Sequence, residues 1–583
     1  VREPSKSKVD PVKDGPQRQL RLWPGVAIAA LVILLRYAIP AVFPTARLIG
    51  ALGGLAGGLG VAIWWAFFSR ADRVERWGGV LFMIVALLLA PRILHESIAT
   101  GGMGMLFPMF AVPLLALAFV AWAVATRALP TARRRSSMIA VILLACGGWA
   151  VVRTEGVTGD GKQQFRWRWG LTSEEKLLAR SDLRSPTEVV PVATVDDGVA
   201  WPGFRGPRRD GVVVGVRIAT DWSSSPPEEL WRRPVGPGWS SFAVRGGLLY
   251  TQEQRGEEET VVCHDARSGE PVWQHRDPVR FSETMGGPGP RATPAVAGGT
   301  VYALGATGIL NALDAADGSV KWSRDVAADA GVEPPYWGFS GSPLVVDDLV
   351  VVAASGRLVA YERASGEQRW SGPSGDESYS SPHLLTLHDV PQVVQLNGAG
   401  VISLSPADGT LLWEHAWMGS AIVQPAGLAD GDVLIGALGV TSGIGVRRLG
   451  LTHGADGWVA EERWTSIGLK PYYNDFVVHD GHAYGFDGGI LSCIGLDDGG
   501  RRWKGGRYGH GQLVVLADQG ILLVVSEKGE LALVEAAPGK FTELARFKAI
   551  EGKTWNHPVL VDDLLLVRNG REMAAWRLPP AER

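Results

Sequence analysis

Charged, titratable and aromatic side chains gather in short connections that recur along roughly the last two thirds of the 583-residue chain. These are Trp239; Arg291; Tyr336 and Trp337; Tyr379; Trp417; Lys470, Tyr472, Tyr473 and Asn474; Tyr508 and His510; and Lys553, Trp555, Asn556 and His557. Aromatic rings and an arginine on rigid loops can hold a partner or a small ligand by apolar contact and charge. The expected binding set is Arg291, Trp337, Trp417, Tyr472, Tyr473, Asn474, His510, Trp555, Asn556 and His557. Arg291, Asp475, His510 and His557 are the groups able to meet a charged ligand or move a proton, and Asp475 is the one candidate for a catalytic base. Asn474, Asp475 and Asp487 could give oxygen atoms to a hard cation, but no ordered ligand pattern surrounds them and no metal site is expected. For any single aromatic the commoner role is padding between repeats.

The three cysteines point away from redox or metal chemistry. Cys146 falls in an apolar stretch. Cys263 and Cys493 each stand six residues before a repeated glycine, where other repeats carry Ala312, Ala360 and Ser403. A small residue is wanted there, so both read as small core residues. They belong to the first and sixth repeats, which argues against a disulfide between them. No CxxC, CxxCH or metal-spaced Cys/His pattern occurs, against attached haem or structural zinc. A net charge of −3 without a basic stripe argues against nucleic acid as a partner.

The element that must position these loops is clearest at 292–322, ATPAVAGGTVYALGATGILNALDAADGSVKW. Short β-prone runs at 295–297, 301–304 and 309–313 are separated by Gly298-Gly299 and the Gly305/Gly308 turn. Asp317-Gly318 then turns the chain into a fourth strand bearing Trp322. One such sheet is too small to be stable alone and must stack on copies. A glycine followed four residues later by tryptophan marks them: Gly269/Trp273, Gly318/Trp322, Gly366/Trp370, Gly409/Trp413 and Gly499/Trp503. Trp231 and Trp464 hold the same point without that glycine, and Phe547 is expected to replace the tryptophan in another unit. The period is near 45 residues with four strands per unit, which is a propeller blade. First strands start at Ser241, Thr293-Pro294, Ser342-Pro343, Ser381-Pro382, Gln424-Pro425, Asp475-Phe476, Gln512 and His557-Pro558, giving eight blades. The last start has chain left for three strands only, and the unpaired run Glu229-Leu230-Trp231-Arg232-Arg233 supplies the fourth, closing the ring and removing its edges.

The phrase Ala312-Leu313-Asp314-Ala315-Ala316-Asp317-Gly318-Ser319-Val320-Lys321-Trp322, with a looser copy at 263–273, resembles the tryptophan-docking repeat of pyrroloquinoline-quinone (PQQ)-type propellers. The resemblance covers about 201–578 and implies the fold. That superfamily holds both quinoprotein dehydrogenases and non-enzymatic BamB-like propellers of outer-membrane protein assembly.

Ahead of the propeller, residues 1–22 form a basic tail expected in the cytoplasm. Apolar spans follow at about 23–43, 48–68, 77–94, 103–125 and 138–152, near the ~20 residues a membrane helix needs. Several apolar cores argue against a cleaved signal peptide. Arg70, Arg73 and Arg76 lie between spans two and three, and Arg127, Arg133, Arg134 and Arg135 between four and five. The positive-inside rule then places the N-terminus in the cytoplasm of a bacterial inner membrane and the propeller in the periplasm. Gly50, Gly54 and Gly58, with Gly53 and Gly57, form a close-packing helix face, expected to serve the bundle's own interior ahead of a dimer. Arg36 is an intramembrane charge expected to snorkel. His95 and Glu96 are expected at the interface. Residues 153–200 read as a linker: 165–169 suits a membrane-surface anchor, and Thr172 or Ser173 caps a short helix. The segment opening at Trp201-Pro202-Gly203-Phe204-Arg205-Gly206-Pro207 reads as a fixed loop without chemistry.

The expected architecture is therefore an all-β eight-bladed propeller of four-stranded antiparallel blades (201–583) behind an all-α five-helix transmembrane domain (23–152). Two functions compete. The first is a membrane-tethered, non-catalytic BamB-like scaffold that binds a protein or small ligand and needs no cofactor. The second, by resemblance to membrane-bound glucose dehydrogenases, is a quinoprotein dehydrogenase using PQQ with Ca²⁺ or Mg²⁺ to oxidise a sugar or alcohol and reduce ubiquinone. Compact blades without long insertions favour the first.

Overall fold

The computed structural model describes residues 20–43, 46–159, 161–179, 200–419, 422–439 and 443–581. Most of the basic tail and the linker from 180 to 199 thus lie outside the described residues. The chain divides into two compact units, Val1–Val157 with Gln163–Gly170, and Thr158–Lys162 with Leu171–Arg583.

The first unit contains five helical spans, Trp23–Val42, Ile49–Phe68, Arg73–Arg92, Leu106–Ala125 and Thr131–Val151, each long and apolar enough to cross a membrane. The glycine rows face inward, as expected. A Cβ on Gly57 would lie 2.1 Å from Val32 of the first span, and one on Gly58 would lie 2.2 Å from Val112 of the fourth. The second span is therefore wedged between its neighbours at a separation only glycine allows. Arg36 lies on a π-helical turn, Leu34–Ala38, with its guanidinium 4.8 Å from the Phe110 ring. Buried Arg134 grips buried Glu75, its Nε donating at 2.6 Å, so the two arginine-rich loops share one end of the bundle. His95 caps the short helix Glu96–Ala99 by accepting from the Ser97 N–H. Where a linker was expected, Val152–Val157 pairs with Gln163–Trp167 as a hairpin. Its alternating sequence satisfies a ladder, and Trp167 and Trp169 remain exposed. In the other unit, Thr172 caps Ser173–Leu178 through a capping box with Glu175.

The second unit is the eight-bladed propeller. Seven blades are built from consecutive strands, and the eighth joins the C-terminal strands to Glu228–Pro234, with Ala575 opposite Trp231. The innermost strands, in blade order, are Ala243–Arg245, Ala295–Ala297, Leu344–Val346, His383–Leu387, Ala426–Gly427, Val477–His479, Gln512–Leu516 and Val559–Val561.

The glycine-tryptophan repeat welds a blade to the next at five junctions of the ring. Trp273 of blade 1 donates its indole N–H to Ala315 O in the last turn of blade 2, at 3.0 Å. Its ring lies on Gly318 of that turn, where a Cβ would fall 2.5 Å from Cε3. Gly318 also has φ +75°, so the turn and the stacking both require glycine. Trp231, Trp322, Trp370 and Trp464 dock in the same way on Gly269, Gly366, Gly409 and Gly499. Cys263 and Cys493 sit opposite Trp273 and Trp503 and are fully buried, as their small size predicts.

One expectation fails. In blade 7 the position before the bulge, held elsewhere by tryptophan, belongs to Ala545, and Phe547 lies two residues further on. Phe547 packs instead against Trp576 and Trp222 at 4.7 and 5.2 Å. Blade 5 also departs, its outer strands Gly443–Gly454 and Gly457–Ser466 running on as a long hairpin. No docking glycine faces Trp413 there, and its indole turns to Gln392 of its own blade at 2.7 Å.

Candidate functional site: the mouth of the propeller

The residue that opens each first strand does more than start it. The backbone N–H of Ser241 donates to Thr293 Oγ1, Thr293 to Ser342 Oγ and Ser342 to Ser381 Oγ, each at 2.9 Å. Ser381 donates to Gln424 Oε1 at 3.1 Å, and Gln424 to Asp475 Oδ1 at 2.7 Å. Ser241 Oγ reaches the His557 carbonyl at 2.6 Å. Gln512 Nε2 bridges the carbonyls of Tyr473 and Trp555 at 3.1 and 3.0 Å. A polar ring thus passes from blade to blade around the end of the channel where the first strands begin. The backbone of a strand start needs an acceptor, and the next blade supplies it.

The segment expected as a loop without chemistry fills this channel. Trp201 pairs with Val244 of blade 1, and Pro202 O accepts from Val296 of blade 2. The Phe204 ring lies 4.9 Å from His557 of blade 8. Arg205 donates to Phe476 O of blade 6 at 2.6 Å, and Arg209 donates to Pro343 O and Ser342 O of blade 3 at 2.8 and 2.9 Å. Val212–Val213 then runs parallel to the first strand of blade 7. The chain enters antiparallel to one inner strand and leaves parallel to another, so it forms a finger. Its tip, with Arg205 and Arg209 in the left-handed region at φ +60° and +59°, reaches the polar ring. Pro207 and Arg208 are exposed at the tip, with Arg208 on Asp210 at 2.9 Å.

Asp475 belongs to this ring and finger. Its carboxylate takes the Gln424 N–H and lies 3.8 Å from Arg205 and 3.4 Å from His557. Burial alone would raise its pKa, but Arg205, the His557 contact and the Gln424 bond together hold it below the usual value. Burial lowers His557 despite Asp475, and lowers His383 to about 3 with the two arginines adding to the effect. Arg209 falls to about 9 through burial and the Arg205 charge.

Above the ring, the loops between blades bring aromatic groups together. Trp239 lies 4.7 Å from Trp555, Trp555 is 4.8 Å from Tyr473, and Tyr473 is 5.4 Å from His510. Tyr472 adjoins both Tyr473 and His510, at 5.1 and 5.7 Å. Lys553 Nζ sits 4.2 Å from the Trp555 ring and 5.0 Å from Trp239. Burial brings Lys553 down to about 8 although Glu527 and Glu283 oppose the shift. Glu527 accepts from the Trp555 indole at 2.9 Å and from the His510 N–H at 3.4 Å.

The other expected residues divide. Asn474 accepts from the Tyr472 N–H at 3.0 Å, and Asn556 donates to Ser240 O at 2.7 Å. Both shape loops. Arg291 is buried, donating to the carbonyls of Gly287 and Gly289 and pairing with Glu283 at 3.2 Å, so it organises its own loop. Trp337 forms a separate pair with Tyr379 at 4.8 Å. Trp417 packs under Arg447, 4.4 Å from its guanidinium carbon. Asp487 is held by Lys470, Arg501 and Lys504 at 3.7, 2.6 and 2.6 Å. Among the described residues no group of three His, Cys, Asp or Glu could hold a metal ion.

Residues 223–399 match the family described as outer membrane protein assembly factor BamB. Over that stretch the propeller is similar to the BamB-like PQQ-repeat family. The protein of that name from Burkholderia pseudomallei (strain K96243) is 23% identical over 365 residues, 58% of this chain and 85% of its own. The Shewanella oneidensis protein is 32% identical over 155 residues, 25% of this chain and 36% of its own. Among solved structures, BamB from Moraxella catarrhalis has a TM-score of 0.44 and 14% identity, over 60% of this chain and 100% of that one. Quinohemoprotein alcohol dehydrogenase from Comamonas testosteroni has 0.47 and 12%, over 71% and 85%. The family match takes in Arg291 and Trp337 of this BamB-like propeller and ends before Trp417. Sequence reasoning missed the finger arginines, the polar ring and the placing of Lys553 over the Trp239 and Trp555 rings. The polar ring alone left a signal, the Ser, Thr, Gln, Asp or His that opens each first strand.

Proposed function

We propose that this chain is a membrane-tethered binding module that takes a protein or small-ligand partner on the aromatic mouth of its BamB-like propeller and performs no reaction there. The observation that carries the reading is the continuous run of half-buried Trp239, Trp555, Tyr473 and Tyr472, backed by the buried ring of His510, on short loops fixed by the polar ring. Half-buried aromatics on a rigid frame bind with little ordering cost. The relatives are named for outer-membrane protein assembly, so a protein partner is the first expectation. The arginine-rich loops at one end of the helical bundle favour an N-terminus in the cytoplasm and a propeller in the periplasm.

The dehydrogenase alternative needs oxygen donors converging on a hard cation beside a quinone. Asp475 is engaged by Arg205, His557 and Gln424, Asp487 by three cations, and Asn474 by a backbone N–H. These donors do not fit that shell. The test is to add PQQ and Ca²⁺ to the detergent-solubilised chain and follow dye reduction with sugars and alcohols. No turnover is expected. Stoichiometric quinone binding, with turnover that Asp475→Asn abolishes in a folded protein, would overturn the reading.

A further inference from the structure

The floor of the mouth carries a charge that its own residues do not balance. Arg205 and Arg209 are both buried at the finger tip, 3% and 8% exposed, and among the described residues Asp475, beside Arg205, is the one carboxylate paired with either. Arg208 and Asp210 cancel each other. His383 and His557 are held neutral by burial, so they add no charge. Arg209 meets only carbonyl oxygens, through its two Nη atoms. The Nε atoms of both arginines, Nδ1 of His383 and Nδ1 of His557 are buried without a hydrogen-bond partner. Such orphans in a buried polar network are costly unless something completes them. Adjoining strand starts join these groups: Ser342, whose carbonyl holds Arg209, donates to Ser381 two residues before His383, and Ser381 donates to Gln424, which donates to Asp475. The exposed tip residues Pro207 and Arg208 stand between this cluster and the solvent at the mouth.

We propose that this cluster is an anion site at the floor of the mouth, built from Arg209, Arg205 and His383, which takes the carboxylate of a bound ligand. Two guanidiniums against one carboxylate leave a single positive charge, which one carboxylate balances and a phosphate dianion would exceed. The Nη atoms of Arg209 are committed to carbonyls, so the bidentate fork that favours phosphate is not on offer. The carboxylate can belong to a small acid or to the C-terminus of a peptide. Only the second source rests on the reading of the aromatic mouth as a partner face.

The experiment follows thermal unfolding of the full chain in detergent with sodium acetate, phosphate or chloride at equal ionic strength. Trialanine and trialanine amide form a second pair. Acetate is expected to raise the midpoint saturably, chloride to do nothing, and phosphate to act at least threefold more weakly than acetate. Arg209→Gln should abolish the acetate effect. His383→Ala, which removes no hydrogen bond from the fold, should raise the half-saturating acetate concentration at least threefold. It carries the test if Arg209→Gln does not fold. Trialanine acting below acetate's concentration, with its amide inactive, assigns the site to a peptide end, and acetate alone assigns it to a small acid. Identical midpoints in the three salts would overturn the proposal. So would an acetate effect untouched by His383→Ala, or phosphate equalling acetate. Changing Tyr472 and Trp555 to Ala separates the two readings, because it leaves the acetate effect in place whether or not partner capture is lost.

Discussion

At the scale of the residue, burial keeps three histidines of the propeller neutral. Burial lowers His264 to about 4 and His383 to about 3, and lowers His557 as well. In the unfolded chain the same groups take up protons from about pH 6.5 downward while the fold does not. Stability is therefore expected to be flat above pH 7 and to fall below 6.5, by up to about 1.4 kcal/mol per pH unit for each histidine. Urea midpoints of the detergent-solubilised chain between pH 7.5 and 5 check this, and a flat profile to pH 5 would contradict it. Asp475 makes a second case. Asp475→Asn keeps an acceptor for Gln424 but leaves Arg205 without its counter-charge, so a loss of about 3 kcal/mol is expected in urea unfolding. In sequence Asp475 looked like a base because a lone carboxylate in a loop invites that reading. Its neighbours come from Arg205 and His557, far away in the chain, and no spacing rule reveals them.

At the scale of the element, the repeat was legible because one physical contact demands two residues at once. A tryptophan on the outer strand needs a flat, Cβ-free turn on the next blade, so glycine and tryptophan recur at a fixed interval. The rule misled in two places: Phe547 matched by spacing, but the bulge gives the position to Ala545, and Trp413 keeps the position but turns its indole to Gln392 of its own blade. The contact can be measured with two glycines. Gly318→Ala adds a Cβ 2.5 Å from the Trp273 ring at φ +75°, whereas Gly299→Ala at φ +71° meets nothing within 4 Å. The second should cost only the backbone strain, about 1 kcal/mol, and the first about 3 kcal/mol. Equal losses in denaturant unfolding would show that the ring does not rest on the turn.

At the scale of the whole molecule, ring closure was legible by counting, since eight starts and one orphan outer strand leave a single solution. Deleting residues 228–235 removes the strand opposite Met573, Ala574 and Ala575 and the Trp231 that docks on Gly269. A fall in the unfolding midpoint of roughly 5 °C or more is expected. An unchanged midpoint would mean that the ring holds without its mixed blade. The finger was illegible for the opposite reason. Residues 201–213 touch six blades, but each contact uses backbone atoms, a single arginine or the one ring of Phe204, and such contacts leave no periodic trace.

The claim that the aromatic mouth is a partner face is tested most directly by a photo-crosslinking amino acid placed in living cells at Tyr472, and separately at Asp348. Asp348 is exposed in the turn that follows a first strand, at the other end of the ring. A discrete adduct from position 472, lost when Trp555 is changed to Ala and absent from position 348, is the result expected. Equal adducts from both positions, or none from 472, would contradict the account.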